Sequence, residues 1–168
     1  MNSNKPRLST RTITFAGLLI ALNVVLNLFV LPIGNIIEIT IAFLPILYAG
    51  YYFGPWIAGV IAVIGDVLGF IIRPAGFFFI GFTFNAWVSG MIYGYILHNK
   101  PVTWKRVAVA VIVQNLIVSV ILTPIWLQIM YGTALLSVPR LIRVVIMVPI
   151  EIALAYFMLN RFDYRMEK

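Results

Sequence analysis

The sequence predicts an all-α integral membrane protein, a polytopic bundle of six transmembrane helices with both termini in the cytoplasm. Three observations lead there. First, 62% of the 168 residues are hydrophobic and only 10% are charged, with a mean hydropathy of +1.04. Soluble domains carry about 25% charged residues, so lipid must cover this surface. Second, the apolar residues run in continuous blocks, whereas a β-barrel would alternate them. Third, at about 20 residues per crossing the length accommodates about six crossings. Residues 1–168 therefore read as one membrane domain with no room for a soluble catalytic one.

The elements follow from the breaks between apolar runs. A first helix is expected from about Thr12 to Leu31, ended by Pro32-Ile33-Gly34. The basic start MNSNKPRLSTR resembles that of a signal peptide, but no small-residue cleavage site closes the long run after it, so a retained helix is expected. A second helix runs from near Ile36 to about Phe53, with Pro45 as a tolerated kink. Gly54-Pro55 turns tightly into a third helix reaching Ile72, and Arg73-Pro74-Ala75-Gly76 breaks the chain again. A fourth helix continues to about Leu97 after an irregular stretch between Gly76 and Gly81. A polar loop from His98 to Lys105 leads into a fifth helix, Arg106 to about Ile129. Tyr131 to Pro139 reads as a loop, and the sixth helix as about Arg140 to Asn160, before a charged tail. No internal repeat is evident, which disfavours an inverted-repeat transporter.

Charge sets the orientation. Lys5, Arg7, Arg11, Lys100, Lys105, Arg106, Arg161, Arg165 and Lys168 fall on the side of the two termini, nine of the twelve basic residues. The positive-inside rule places that side in the cytoplasm. Trp104 and Trp126 fall near opposite interfaces, as an aromatic belt requires.

The three remaining cations, Arg73, Arg140 and Arg143, stand out because they oppose this bias. Arg140 and Arg143 share one helical face. Such arginines anchor helix ends to headgroups, or they line a mouth that takes carboxylates, for which the planar guanidinium fork is suited. Beside Arg73 lies an aromatic block, with Phe77, Phe79 and Phe82 as candidates to stack on a flat ligand together with Trp126 and Tyr131. Thr83 and Asn85 in the same turn, and Asn23 on the first helix, add polar reach.

Asp66 and Glu151 lie deep in apolar runs. A charge at mid-bilayer costs roughly 2.5–3.5 kcal/mol on insertion scales, so each should face the interior and have a partner. Asp66, about two turns below Arg73, is the better ligand group; Glu151 reads as structural. Small residues recur at spacing four: Gly17 and Ala21, Gly65 and Gly69, Gly90 and Gly94. That spacing lets helices approach closely in lipid. The last two pairs suit packing inside the bundle, and Gly17 with Ala21 a separate partner.

Several chemistries are excluded. There is no cysteine, hence no thiolate chemistry. The single histidine, His98, lies in the cytoplasmic loop, too far from the membrane interior for a His-based nucleophile or metal site. No phosphate-cradling Gly-rich loop with its Lys-Ser/Thr exists. Few interior polar groups are available to line a channel. The net charge of +7 is explained by membrane topology without nucleic acid. No catalytic residue, metal or cofactor is expected.

The segment FFFIGFTFNAWVSGMIYGYILHNK (residues 77–100) resembles the pattern F-x-P-G-F-T-L-S-A…G-L-I-Y-G-x-x-L of folate-type substrate-binding (S) components of energy-coupling-factor (ECF) vitamin transporters. TPIWLQIMYGTALLSVPRLIRVVIMVPIEI (123–152) resembles the family's W-L-x-x-x-Y-G…P-x-R-x-I-K…I-M-x-P-I. AFLPILYAGYYFGPWIAGVIAVIGDVLG (42–69) is also similar, including Pro45, Gly54-Pro55 and Asp66-x-x-Gly69. The resemblance implies a vitamin receptor in the bacterial cell membrane that has no ATPase of its own. It would work with a membrane-embedded coupling (T) subunit and two cytoplasmic ATPase subunits. The family's small-residue docking motif maps onto Gly17 and Ala21. Ile80, Asn85, Arg143, Asn23 and Glu38 depart from residues common in the family at proline, serine, lysine, arginine and a basic position respectively.

The leading expectation is folate uptake, with the pterin among the aromatics near Asp66 or Asn85 and the glutamate carboxylates on Arg73, Arg140 or Arg143. The alternatives are the same fold binding pantothenate or a pyrimidine/thiamin precursor, and a membrane scaffold without ligand.

Overall fold

The computed structural model describes residues 10–29, 31–33, 37–39, 41–74, 76–132 and 138–166, with the side chains of 31–33, 37–39, 138–141 and 163–166 outside the description. Among these residues the chain forms six helical rods: α1 (Thr10–Leu28), α2 (Phe43–Phe53), α3 (Pro55–Ile72), α4 (Ile80–Leu97), α5 (Trp104–Tyr131) and α6 (Val138–Met166). Four of them, within α1, α3, α5 and α6, are long and apolar enough to cross a membrane. The predicted all-helical membrane bundle is the fold observed.

The ends of the helices define two poles. At one, α2 turns into α3 through Gly54, α4 turns into α5, and α6 ends. Gly54 has φ 84° and ψ 179°, a backbone region open essentially to glycine alone. Pro55 then starts α3, where its missing N–H costs nothing. His98 Nδ1 bonds the Tyr51 carbonyl oxygen at 3.1 Å and joins the two turns. This pole is tightly packed and apolar: Leu47, Tyr93, Leu97, Val107, Val111 and Leu159 are among its buried side chains. Gly90 and Gly94 face the α2–α3 turn so closely that a Cβ on Gly90 would lie 2.6 Å from the Ala58 oxygen. Both therefore serve packing in the bundle, as expected. Gly65 does too, because it abuts Asn23 of α1, but Gly69 has open space beside it and does not.

The other pole is built differently. There α1 ends, the α1–α2 connection forms a short antiparallel hairpin, β1 (Leu31–Ile33) with β2 (Ile37–Ile39), and α3 breaks before α4. Leu31 pairs with Ile39 and Ile33 with Ile37. This corrects the expected second helix from Ile36: α2 starts at Phe43, and at 11 residues it is only about 16 Å long. Pro45 consequently sits in the first turn of α2, where no helical partner is lost, and is no mid-helix kink. The first helix also stops earlier than expected, at Leu28. The sixth runs longer, to Met166, so most of the charged tail is helical. The expected loop from Tyr131 to Pro139 lies largely outside the described residues.

Candidate ligand-binding site at the Arg73 pole

Buried polar side chains collect towards the Arg73 pole and the middle of the bundle: Asn23, Thr83, Asn85, Ser89 and Asn115. Each is hydrogen-bonded, as burial demands, and the bonds join different helices. Asn23 Nδ2 donates to the Ala42 carbonyl at 2.6 Å and holds the start of α2 against α1. Asn27 Nδ2 reaches Asn23 Oδ1 at 3.4 Å.

Four residues expected from the sequence to bind ligand meet in two pairs on α4. Thr83 Oγ donates to Asp66 Oδ2 at 2.8 Å, linking α4 to α3. Two residues further along α4, Asn85 Oδ1 accepts from Trp126 Nε1 at 2.9 Å, and Asn85 Nδ2 donates to Thr123 Oγ at 3.1 Å. Trp126 therefore has a polar partner inside the bundle and is more than an interfacial anchor.

Aromatic rings pack around these pairs. Phe79 lies 5.8 Å from Trp126 and 6.0 Å from Phe82, centroid to centroid, both edge-on or tilted. Gly81 makes this packing possible, since a Cβ there would meet the Trp126 ring at 2.7 Å. Phe77 is 85% exposed and Tyr131 61% exposed, so neither joins the Phe79–Trp126 cluster.

Of the three arginines, Arg73 follows α3, and Arg140 and Arg143 lie on α6. Arg73 is exposed at the end of α3, and its guanidinium makes one long contact, 3.4 Å, to the Leu28 carbonyl of α1. Arg143 is half-buried on α6. Arg140 lies in α6, with its side chain outside the described residues. Glu151 accepts from Asn115 Nδ2 at 2.6 Å, deeper in the bundle, in keeping with the structural reading of that acid. Gly17 and Ala21 lie exposed on α1, with nothing within 4 Å of a Cβ on Gly17.

Sequence reasoning missed Thr123, Ser89 and Gln114, which connect Asn85 to α5. Ser89 Oγ donates to the Asn85 carbonyl at 2.9 Å and accepts from Gln114 Nε2 at 3.2 Å. The available signal was the spacing of Asn115, Ser119 and Thr123, four apart in an otherwise apolar run.

A bundle of long apolar helices with a few buried, hydrogen-bonded polar side chains defines an integral membrane protein. A family model described as "ECF transporter, substrate-specific component" matches residues 11–159. The chain belongs to that family: it is a component of a membrane transporter and not an enzyme. It is 39% identical over 144 residues to the folate transporter FolT of Clostridium novyi (strain NT), covering 84% of each chain. It is also 39% identical over 165 residues to the folate transporter FolT of Leuconostoc mesenteroides subsp. mesenteroides, covering 92% of this chain and 88% of that one. A solved structure described as "Crystal structure of FolT bound with folic acid" superposes with a TM-score of 0.83 at 38% identity, covering 91% of this chain and 95% of the other.

Proposed function

We propose that this chain is the folate-binding subunit of an ECF-type importer and that the Arg73 pole is its ligand mouth. The observation that carries the reading is the pair of partly buried polar bridges, Thr83–Asp66 and Asn85–Trp126, set among aromatic rings in a chain whose relatives are named folate transporters. A pterin offers an array of ring donors and acceptors that such groups match, with rings to pack against Phe79, Phe82 and Trp126. The carboxylates of folate's glutamate moiety would meet Arg73, with Arg140 and Arg143 of α6 as further cationic partners. Phe77 and Tyr131, being exposed, serve as closing groups at the rim, and Asn23 steadies the α1–α2 side of the mouth.

The excess of cations at the opposite pole supports placing both termini in the cytoplasm and the mouth outside. The open α1 face at Gly17 and Ala21 would dock the coupling (T) subunit, which two ATPase subunits drive. Purified protein in detergent, titrated calorimetrically with folate, pantothenate and thiamin in turn, tests the ligand. Saturable one-to-one folate binding is expected. Binding of pantothenate or thiamin with none of folate would overturn the assignment.

A further inference from the structure

The rod α5 is not one α-helix. Trp104–Gln114 and Thr123–Tyr131 are α-helical, but Asn115–Leu122 between them is wound as a π-helix. At its end the Thr123 N–H reaches back five residues to the Val118 carbonyl. Such windings are rare, usually one turn long, and concentrate at functional sites. NLIVSVIL itself holds neither proline nor glycine, but Pro124 lies just beyond it; having no N–H and a ring that crowds the preceding turn, it disfavours regular α winding there.

Side chains pin the segment at both ends. Near its start Gln114 bonds Ser89 of α4, and Asn115 bonds Glu151 of α6. At its far end Thr123 Oγ donates to the Val118 carbonyl at 2.7 Å. That bond commits the only hydroxyl proton, so towards Asn85 the Thr123 oxygen can only accept. It accepts from Asn85 Nδ2, which turns the Asn85 carbonyl oxygen towards the Trp126 indole N–H. A flipped amide would set Nδ2 against the indole N–H, and Oδ1 against an oxygen with no proton left. Both bonds would be lost.

We infer that Thr123 is a positioning residue of the ligand site: it transmits the π winding of α5 to Asn85 and Trp126, and so fixes which hydrogen-bonding edge the mouth presents. This rests on the reading of the Arg73 pole as the ligand mouth. The direction of the chain is one-way, from Trp126 through Asn85 and Thr123 to the Val118 carbonyl. The residue count of the π segment sets where Trp126 stands around the α5 axis, because each residue of an α-helix turns it by about 100°.

The test uses the full-length protein labelled with 5-fluorotryptophan. The Trp126 19F resonance is assigned by its loss in Trp126→Phe. Thr123→Val, nearly the same shape without the hydroxyl, is expected to shift that resonance without ligand and to weaken folate binding about tenfold. Thr123→Ser, which keeps the hydroxyl, is expected to restore both. Deleting Ile121, a lipid-exposed residue of the π segment, removes one residue of winding; it should displace the Trp126 resonance and abolish binding. It also decides the matter should Thr123→Val fail to fold. An unchanged Trp126 resonance with wild-type affinity in either variant overturns the inference. Failure of the wild type to bind folate would instead sink the ligand assignment, because the 19F comparison needs no ligand.

Discussion

Thr83 and Asp66 hold one another across the α3–α4 interface, hydroxyl to carboxylate at 2.8 Å, about two helical turns below Arg73. The pair sits in the most extensive helix contact of the bundle, that between α3 and α4. A carboxylate at this depth is costly unless partnered, and Thr83 supplies the partner.

Thr83→Val removes the donor and leaves Asp66 short of a partner. Folate affinity should fall about tenfold, from the roughly 1–3 kcal/mol cost of an unsatisfied buried group. Thr83→Ser should stay close to wild type. Isothermal titration of the three proteins distinguishes loss of the hydroxyl from loss of shape.

Arg73 is exposed and contributes little to packing. Arg73→Ala should therefore leave the melting temperature in detergent unchanged while weakening folate about tenfold. A pterin lacking the glutamate moiety should bind both proteins alike. Equal loss for folate and for that pterin would place the carboxylates elsewhere.

Gly17 lies on an open face of α1. Gly17→Leu should bind folate as the wild type does yet support no uptake in vesicles containing the coupling and ATPase subunits. Retained uptake would place the docking surface on another helix.

Gly94 is packed against the backbone of Pro55, so a Cβ there has nowhere to go. Gly94→Ala should cost about 1–3 kcal/mol through overpacking, read as a lower melting temperature. Gly69→Ala, with open space around it, should be neutral or slightly stabilising, since alanine favours the helix by about 1 kcal/mol over glycine.

Much of the fold was legible because lipid imposes long apolar runs and breaks between them are marked by Gly and Pro. Gly54-Pro55 turned the chain where expected for that reason. The hairpin was hidden although residues 31–39, LPIGNIIEI, carry Gly34-Asn35 between two apolar runs: the proline and glycine also read as a helix end, and three-residue strands are too short to show alternation. Thr83, Asp66, Asn85 and Trp126 were legible as candidates, since polar or amphipathic groups in lipid require a reason. Their pairing was not, because Asn85 and Trp126 are 41 residues apart and only packing joins them. The π winding was only half legible: Pro124 marks a disturbed turn before it, but the bonds to α4 and α6 that hold the segment join residues far apart in sequence. The exposure of Phe77 and Tyr131 was not legible either, because an aromatic near a membrane interface can face lipid or the bundle equally well.

The most direct test is an experimental structure of the protein with folate bound. The account predicts the pterin ring within hydrogen-bonding distance of Asp66 or Asn85, beside Phe79 and Trp126, with its carboxylates towards Arg73. Folate seated away from these residues, with the Thr83–Asp66 and Asn85–Trp126 bridges untouched, would contradict it.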